Sequence, residues 1–433
     1  MLPAIRQDDF LYPVPKFEIN ENDVDDFSKV LIGFHEEFSD CFSRSESRGH
    51  FYLYMSGQFS NLERKSIQPI ALNTQGGNVR TMQRFVSDAI WDDQKIMSKY
   101  RNMINDDLGC PDGALIFDES GFEKKGDHSA GVAKQYCGNI GKVDNCQVGV
   151  FAAYASPHGY SLVDRQLYLP KRWFGDDYSD KRKKCKIPED VVFKTKPQMA
   201  SEMLNDIADE NILPFKYVLA DSVYGENPDF INTVESMIDK TYFVSVGYDT
   251  LCWLRQPVTV EKEYKYRGEI RTKKVLAADE KSPISVKKLA ENINDYFWYQ
   301  RTVSEGTKGP ITYEFTKRRI VLSNEGLPQR TVWLIIKRTL SDNPEYSYFI
   351  SNAHISTRLN TFVWLCGMRW PVEQCFEETK SELGMDQYEV RKYNGWYHHI
   401  MVCMLAHFFL WHLKIKLEKK STSYYYFSNQ MSA

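Results

Sequence analysis

The sequence predicts an α/β protein: a mixed sheet flanked by helices, preceded by an α-helical segment and interrupted by a β-rich insertion. Three observations predict it. Between Gly113 and Val246, short apolar runs read as strands, and two of them end in Asp. From about 249 to 350 the helical pattern gives way to alternating stretches rich in Thr, Val, Tyr and Lys. On either side of these regions apolar residues recur at helical spacing.

Composition fits a packed globular chain. Of 433 residues, 42% are hydrophobic, 14% aromatic and 26% charged, with a formal net charge of -3. That balance argues against a uniformly basic coat for nucleic acid and leaves room for local basic patches. Nine scattered cysteines, with no CxxC or CxxH pairing, fit free thiols in a reducing compartment rather than a zinc site. The N-terminus lacks the basic-then-apolar pattern of a signal peptide. The longest apolar stretch, Ile400 to Trp411, contains His407 and is too short to span a bilayer, so it reads as a buried helix.

Residues 1–20 carry Pro3, Pro13 and Pro15 and read as an irregular arm. From Asn22, Val24, Phe27, Val30, Leu31, Phe34 and Phe38 recur at three and four, and helical pieces follow at 51–59, 62–71, 81–91 and 94–105. Arg64, Lys65, Arg80 and Arg84 supply basic points beside short turns. A helix-turn-helix-like DNA contact and an ordinary bundle with a mixed surface fit them equally. Ala114 to Asp118 reads as a buried strand with Asp118 at its C-terminal end. Cys146 to Tyr154 and Ser161 to Leu169 read as a hairpin about Pro157-His158-Gly159. Residues 171–196 form a basic, loop-like stretch, followed by a helix at 198–208. Tyr217 to Asp221 repeats the strand-then-Asp theme, Pro228 opens a helix, and Thr241 to Val246 is a fifth strand. After the insertion, helices are expected at about 355–384 and 395–417. The adjoining His398 and His399 point to different helix faces and read as core or surface filler. There is no P-loop, GxSxG, HExxH or dinucleotide fingerprint.

Arg369-Trp370-Pro371-Val372-Glu373-Gln374-Cys375-Phe376-Glu377-Glu378-Thr379-Lys380 is the stretch with the most chemistry in it. At 100° per residue, Glu373 and Lys380 lie about 20° apart around a helix, and Arg369 falls about 40° from Glu373 if the helix is continuous. Val372, Phe376 and Leu383 form the adjoining apolar stripe. Glu377 and Glu378 sit about 40° and 140° further round from Glu373. On spacing alone, a solvated helix laced with ion pairs is the simpler reading, and a metal or catalytic carboxylate the sharper one. Pro371 either opens this helix or kinks it.

Two strands ending in Asp, then a late helix carrying Glu beyond an insertion, is how an RNase H-like sheet places three carboxylates around divalent metals. In these residues the chain resembles a DDE transposase of a bacterial insertion sequence. It is similar to the group with a helical N-terminal domain, a β-rich insertion before the last acid and a Tyr-x2-Arg-x3-Glu-x6-Lys signature. Arg369, Glu373 and Lys380 match at those spacings, while Cys366 stands where the group has Tyr. Blocks such as Phe117-Asp118-Glu119-Ser120-Gly121-Phe122, Ala220-Asp221-Ser222-Val223-Tyr224-Gly225 and Gly306-Thr307-Lys308-Gly309-Pro310 extend the resemblance across roughly 35–410.

The resemblance implies catalytic, metal-binding Asp118, Asp221 and Glu373, holding two Mg²⁺ ions, with Mn²⁺ as a substitute. Hard oxygen ligands suit these ions. Glu119 competes with Asp118, and strand alternation is expected to admit only one of them. Arg369 and Lys380 would hold phosphates. DNA contacts are expected at Arg80 and Arg84, and at Trp298, Arg301 and Lys308 near a hairpin of the insertion, although Trp298 also reads as a core residue. The implied activity is cut-and-paste transposition: metal-dependent cleavage at transposon ends, then transfer of the 3′-OH into target DNA. The partners would be double-stranded DNA, at terminal inverted repeats and target, and a second copy of the chain in the DNA complex, with no membrane. The location would be cytoplasmic, nucleoid-associated when DNA-bound. The expected organisation is a helical DNA-binding domain at 1–106, an RNase H-like core at 107–248 and 351–390, the insertion at 249–350, and a C-terminal helix and tail at 391–433.

Overall fold

The computed structural model describes residues 21–431 except 268, 307 and 308, and the side chains of 27–417 except 268 and 305–308. Its described residues form two compact units. One comprises residues up to Phe215 together with those from Trp370 onward, and the other Lys216–Arg369.

The first unit opens with five helices: α1 (Glu21–Glu36), α2 (Ser45–Gln58), α3 (Ile67–Asn73), α4 (Val79–Asp88) and α5 (Asp93–Leu108). Asn78 caps α4 by accepting from the Arg80 and Thr81 amides, and Asp92 caps α5 through the Lys95 amide. The helix expected at 62–71 starts only at Ile67. Just before it, the Lys65 amide donates to Gln387 Oε1 and its ammonium to the Gln58 carbonyl, which holds that segment open. Strands β1 (Ala114–Glu123), β2 (Ala133–Cys137), β3 (Lys142–Ser156) and β4 (Gly159–Tyr168) follow. β3 is central: β1 pairs antiparallel along one edge, and β2 and β4 along the other. Gly159 begins β4 at φ 153°, and a Cβ there would sit 2.8 Å from the Trp411 ring, so the turn needs glycine. Helices α6 (Ser179–Lys184) and α7 (Lys196–Glu210) complete this stretch. Thr195 and Gln198 form a capping box at the start of α7, with Pro197 in its first turn.

The second unit starts with β5 (Tyr217–Ala220), the short α8 (Ser222–Gly225), α9 (Pro228–Ser236) and β6 (Thr241–Val246). β5 and β6 are parallel, Tyr217 opposite Thr241 and Ala220 opposite Val244. The insertion supplies β7 (Leu251–Trp253), β8 (Thr259–Tyr266), β9 (Glu269–Leu276), β10 (Ile284–Ser285), α10 (Val286–Glu291), β11 (Tyr299–Gly306), β12 (Gly309–Asn324), β13 (Leu327–Arg338) and β14 (Tyr346–Ser351). β14 pairs with β6, β13 with β14, β12 with β13, and both β7 and β11 with β12. The insertion therefore extends a sheet begun by β5 and β6, while β8 and β9 form a separate exposed ribbon. Helix α11 (Leu359–Met368) ends the unit.

The chain returns to the first unit with α12 (Trp370–Ser381) and α13 (Tyr393–Met431). The single helix expected over 355–384 is thus two, split at Arg369 with Pro371 in the first turn of α12. α13 is long and apolar enough at Tyr393–Leu417 to cross a membrane by length and composition, but Ile400 to Phe409 are buried inside this unit. It packs on α1, α2, α4 and α5 and also on β4 and α12. Phe27, Phe34 and Phe59 meet Phe409 at 5.2–5.5 Å between centroids, and Trp396 meets Phe122 and Phe151. Buried ion pairs add to this. Arg101 of α5 reaches Asp164 of β4 at 2.8 Å and Glu210 of α7 at 2.6 Å.

The class is the expected one: α/β, with sheets flanked by helices, a helical start and a β-rich insertion. Antiparallel β1, β3 and β4, with β2 added beside β3, then a helix and a parallel strand–helix–strand step follow the RNase H-like connection order. Two details differ. β1 runs on five residues past Asp118, because Phe122 is buried and the ladder with β3 continues to Glu123. β2 was not legible, since only Ala133 and Cys137 of its five residues are buried.

His398 and His399 are core residues. His398 stacks on Trp91 at 4.0 Å and 3°, and His399 bonds the Tyr54 hydroxyl at 2.8 Å. Burial lowers them to about 4 and about 3 respectively. The unfolded chain therefore takes up protons near pH 6.5 that the folded chain refuses. Stability should be fully present above pH 6.5 and fall as pH drops towards 4, by about 3 kcal/mol from His398 alone. Urea unfolding from pH 7 to 4 checks this: His398→Gln should show a slope shallower by about one proton, and equal slopes would contradict it.

Candidate active site

Asp118 sits mid-strand in β1, opposite Phe151 of β3 and just after the fully buried run Ala114 to Phe117. It is half-buried, and its Oδ1 accepts the Glu119 amide at 2.7 Å. Glu119 accepts a 2.6 Å ion pair from Lys196 at the start of α7. Strand alternation was expected to keep the two acids apart, yet a carboxylate oxygen of each lies within 4.8 Å of the other. Alternation fixes the direction of Cβ, not the end point of a longer acid chain. Glu119 is therefore a neighbour of Asp118, not excluded from its surroundings.

Glu373 is exposed in the first turn of α12, where the helix dipole favours a carboxylate. The apolar side of the helix buries Val372, Cys375, Phe376 and Thr379, and α12 packs on β1, β3 and β4. Phe376 meets Phe151, the cross-strand partner of Asp118, at 5.2 Å between centroids. The element bearing Glu373 thus lies directly on the strands that bear and flank Asp118. The acids after it divide. Glu377 is exposed, whereas Glu378 accepts the Tyr160 hydroxyl and His407 Nε2, each at 2.7 Å. Burial alone would raise the Glu378 carboxyl. The bonds from His407 and Tyr160 outweigh that and hold it below its ordinary range.

Lys380, expected to hold a phosphate, is instead turned into the first unit. Its ammonium donates to the Gly121 carbonyl of β1 at 3.0 Å and lies 5.1 Å from the Phe122 ring centroid. Burial lowers it to about 8. The spacing is present, and the side chain meets protein.

In the second unit, Asp221 follows β5 and caps α8, accepting the Val223 amide at 2.9 Å. Gly225 closes that turn: a Cβ there would sit 2.2 Å from the Ser245 carbonyl of β6. Arg369 ends α11 and donates to Ser245 Oγ at 2.6 Å. Cys366, at the usual Tyr position, is a thiol that burial pushes up to about 12, so it is neutral. Trp298 is only 7% exposed, with Arg338 stacked over it at 4.1 Å and Tyr346 at 6.0 Å. Its ring faces protein, so the core reading replaces base stacking. Arg301 donates to Asn360 Oδ1 at 3.0 Å and to the Gln300 carbonyl at 2.7 Å. Lys308 lies outside the described residues. Arg80 and Arg84 are both exposed on α4. Arg64 is paired with Glu389, and Lys65 is tied to main-chain carbonyls. The Glu119–Lys196 pair and the Glu378 network were missed. Each joins residues distant in sequence, and only Pro197 after Thr195 marked the helix start that carries Lys196.

The model of the family described as "DDE superfamily endonuclease" matches residues 37–310, more than half of the chain. The chain belongs to this family. Both Asp118 and Asp221 fall within the matched residues, and Glu373 lies beyond them. This DDE endonuclease is 24% identical over 351 residues to a "Probable transposase for insertion sequence element IS701" of Microchaete diplosiphon, covering 79% of this chain and 76% of that protein. A solved piggyBac transposase synaptic complex with hairpin DNA aligns over 93% of this chain and 68% of that one, at TM-score 0.34 and 9% identity. Family membership implies use of a divalent metal. The candidate residues suit one: all are carboxylates, and Asp118 and Asp221 are half-buried while Glu373 is exposed.

Asp221 caps a helix besides any metal role, and the two can be separated. Asp221→Asn keeps an acceptor for the Val223 amide, so its thermal stability should match the parent's. Asp221→Ala should be less stable by about 1 kcal/mol. Equal melting curves for both variants would show that the cap contributes nothing.

Proposed function

We propose that this DDE endonuclease is a cut-and-paste DNA transposase, with Asp118, Asp221 and Glu373 holding two Mg²⁺ ions. The observation that carries this reading is the family match spanning Asp118 and Asp221. It is supported by the Arg369, Glu373, Lys380 spacing and by the packing of α12 on β1 and β3. Held by these carboxylates, such ions would supply Lewis acidity to a water and to the leaving 3′ oxygen. The protein's part is placement. β1 fixes Asp118, the α8 cap fixes Asp221, and the first turn of α12 presents Glu373 to solvent. Arg80 and Arg84 contact phosphates of end DNA from the outer face of α4. Arg369 aids the same strands from α11, and Arg301 and Lys308 do so from the insertion. The protein works as a homodimer on paired ends in the cytoplasm, and the freed 3′-OH then attacks target DNA.

Cleavage and strand transfer on a labelled end fragment in Mg²⁺ and in Mn²⁺ test the triad. Asp118→Ala, Asp221→Ala and Glu373→Ala should each lose orders of magnitude in both steps while keeping end binding. Glu377→Ala should be much milder. A Glu373→Ala protein that cuts normally beside a dead Glu377→Ala would move the third acid. Cleavage without joining would leave a nuclease, not a transposase.

Binding has its own signature. Arg80→Ala with Arg84→Ala should weaken end binding and reduce the slope of log affinity against log salt by about two. An unchanged slope would remove α4 from the DNA surface.

A further inference from the structure

Helix α12 is held on opposite flanks by two polar clamps inside one compact unit. Glu378 and Lys380 are about 200° apart around the helix. On one side the Glu378 carboxylate takes bonds from Tyr160 of β4 and His407 of α13, which are 4% and 2% exposed. On the other, Lys380 donates to the Gly121 carbonyl of β1. Gly121 lies three residues after Asp118, about 10 Å along a strand. Lys380 lies seven residues after Glu373, again about 10 Å along a helix. Apolar packing, Phe376 on Phe151 among it, specifies the roll of the helix less sharply than directional polar bonds do. A roll of about 20° would move a side-chain tip by about 2 Å at the helix perimeter. That is as long as a whole Mg–O bond, and far beyond the ~0.5 Å a catalytic site tolerates.

We propose that Glu378 and Lys380 are positioning residues: they fix the roll and register of α12 and so aim Glu373 relative to the strand that carries Asp118. The inference rests on Glu373 being a ligand.

The test is an electron paramagnetic resonance titration of Mn²⁺ into the full-length protein, with melting curves alongside. Glu378→Gln keeps an acceptor for Tyr160 without the charge, and Lys380→Met keeps the apolar stem over Phe122. Each should weaken Mn²⁺ binding at least tenfold while melting within a few degrees of the parent. Lys380→Arg, which restores a donor, should regain most of the affinity. Parental Mn²⁺ affinity in both Glu378→Gln and Lys380→Met, even with lower melting temperatures, would overturn the inference and leave them structural. Should either variant fail to fold, Tyr160→Phe, which removes one hydroxyl, carries the same expectation and the same refutation. Glu373→Ala separates the two levels. If it binds Mn²⁺ like the parent, the ligand assignment itself fails. If it loses Mn²⁺ while the clamp variants do not, only the positioning inference fails.

Discussion

Burial of α13 is the constraint on which the first unit depends. Ile400 to Phe409 is apolar nearly all round and mostly inaccessible to water, the pattern of a helix enclosed on every side rather than laid on a surface. Each of its large side chains contributes roughly 1.5–3 kcal/mol when removed from water. To enclose it, the N-terminal helices must cover one side and β4 and α12 the other. The polar side chains inside follow the same logic: His398, His399 and His407 each find a hydrogen-bond partner, and Arg101 finds two carboxylates. The N-terminal helices therefore share one core with the strands that follow.

The acids of this protein sort by environment. Asp164, Glu210 and Glu378 are consumed by buried or half-buried partners. Glu373 stands at a helix N-terminus facing solvent, and Asp118 and Asp221 are half-exposed at a strand and a helix cap. Only the second set can change partners without breaking the core. Among the described residues the chain crosses between its two units twice, just before Lys216 and just after Arg369. Asp221 is the sixth residue after the first crossing and Glu373 the fourth after the second, so two of the three candidate acids sit beside the crossings.

Much of this was legible in the sequence. Apolar runs at Ala114, Cys146 and Tyr217 gave strands, and alternation gave the insertion, because period and burial are local properties. The Arg369, Glu373, Lys380 spacing pointed to α12 as the helix to carry a third acid. What local pattern could not reveal was where long side chains end. Lys380 turned inward to Gly121, Glu119 came within reach of Asp118, and Trp298 was covered by Arg338. Nor could it reveal that Glu378, on the same helix as Glu373, meets Tyr160 and His407, which lie 218 residues before it and 29 after it in the chain. Those outcomes depend on tertiary neighbours, which periodicity does not encode.

Anomalous scattering from crystals of the protein grown in Mn²⁺ addresses the central claim most directly. The account predicts Mn²⁺ peaks bonded to Asp118, Asp221 and Glu373 together, with Glu378 still on Tyr160 and His407. Peaks held by Glu119 or Glu377, with Glu373 left unbound, would contradict it.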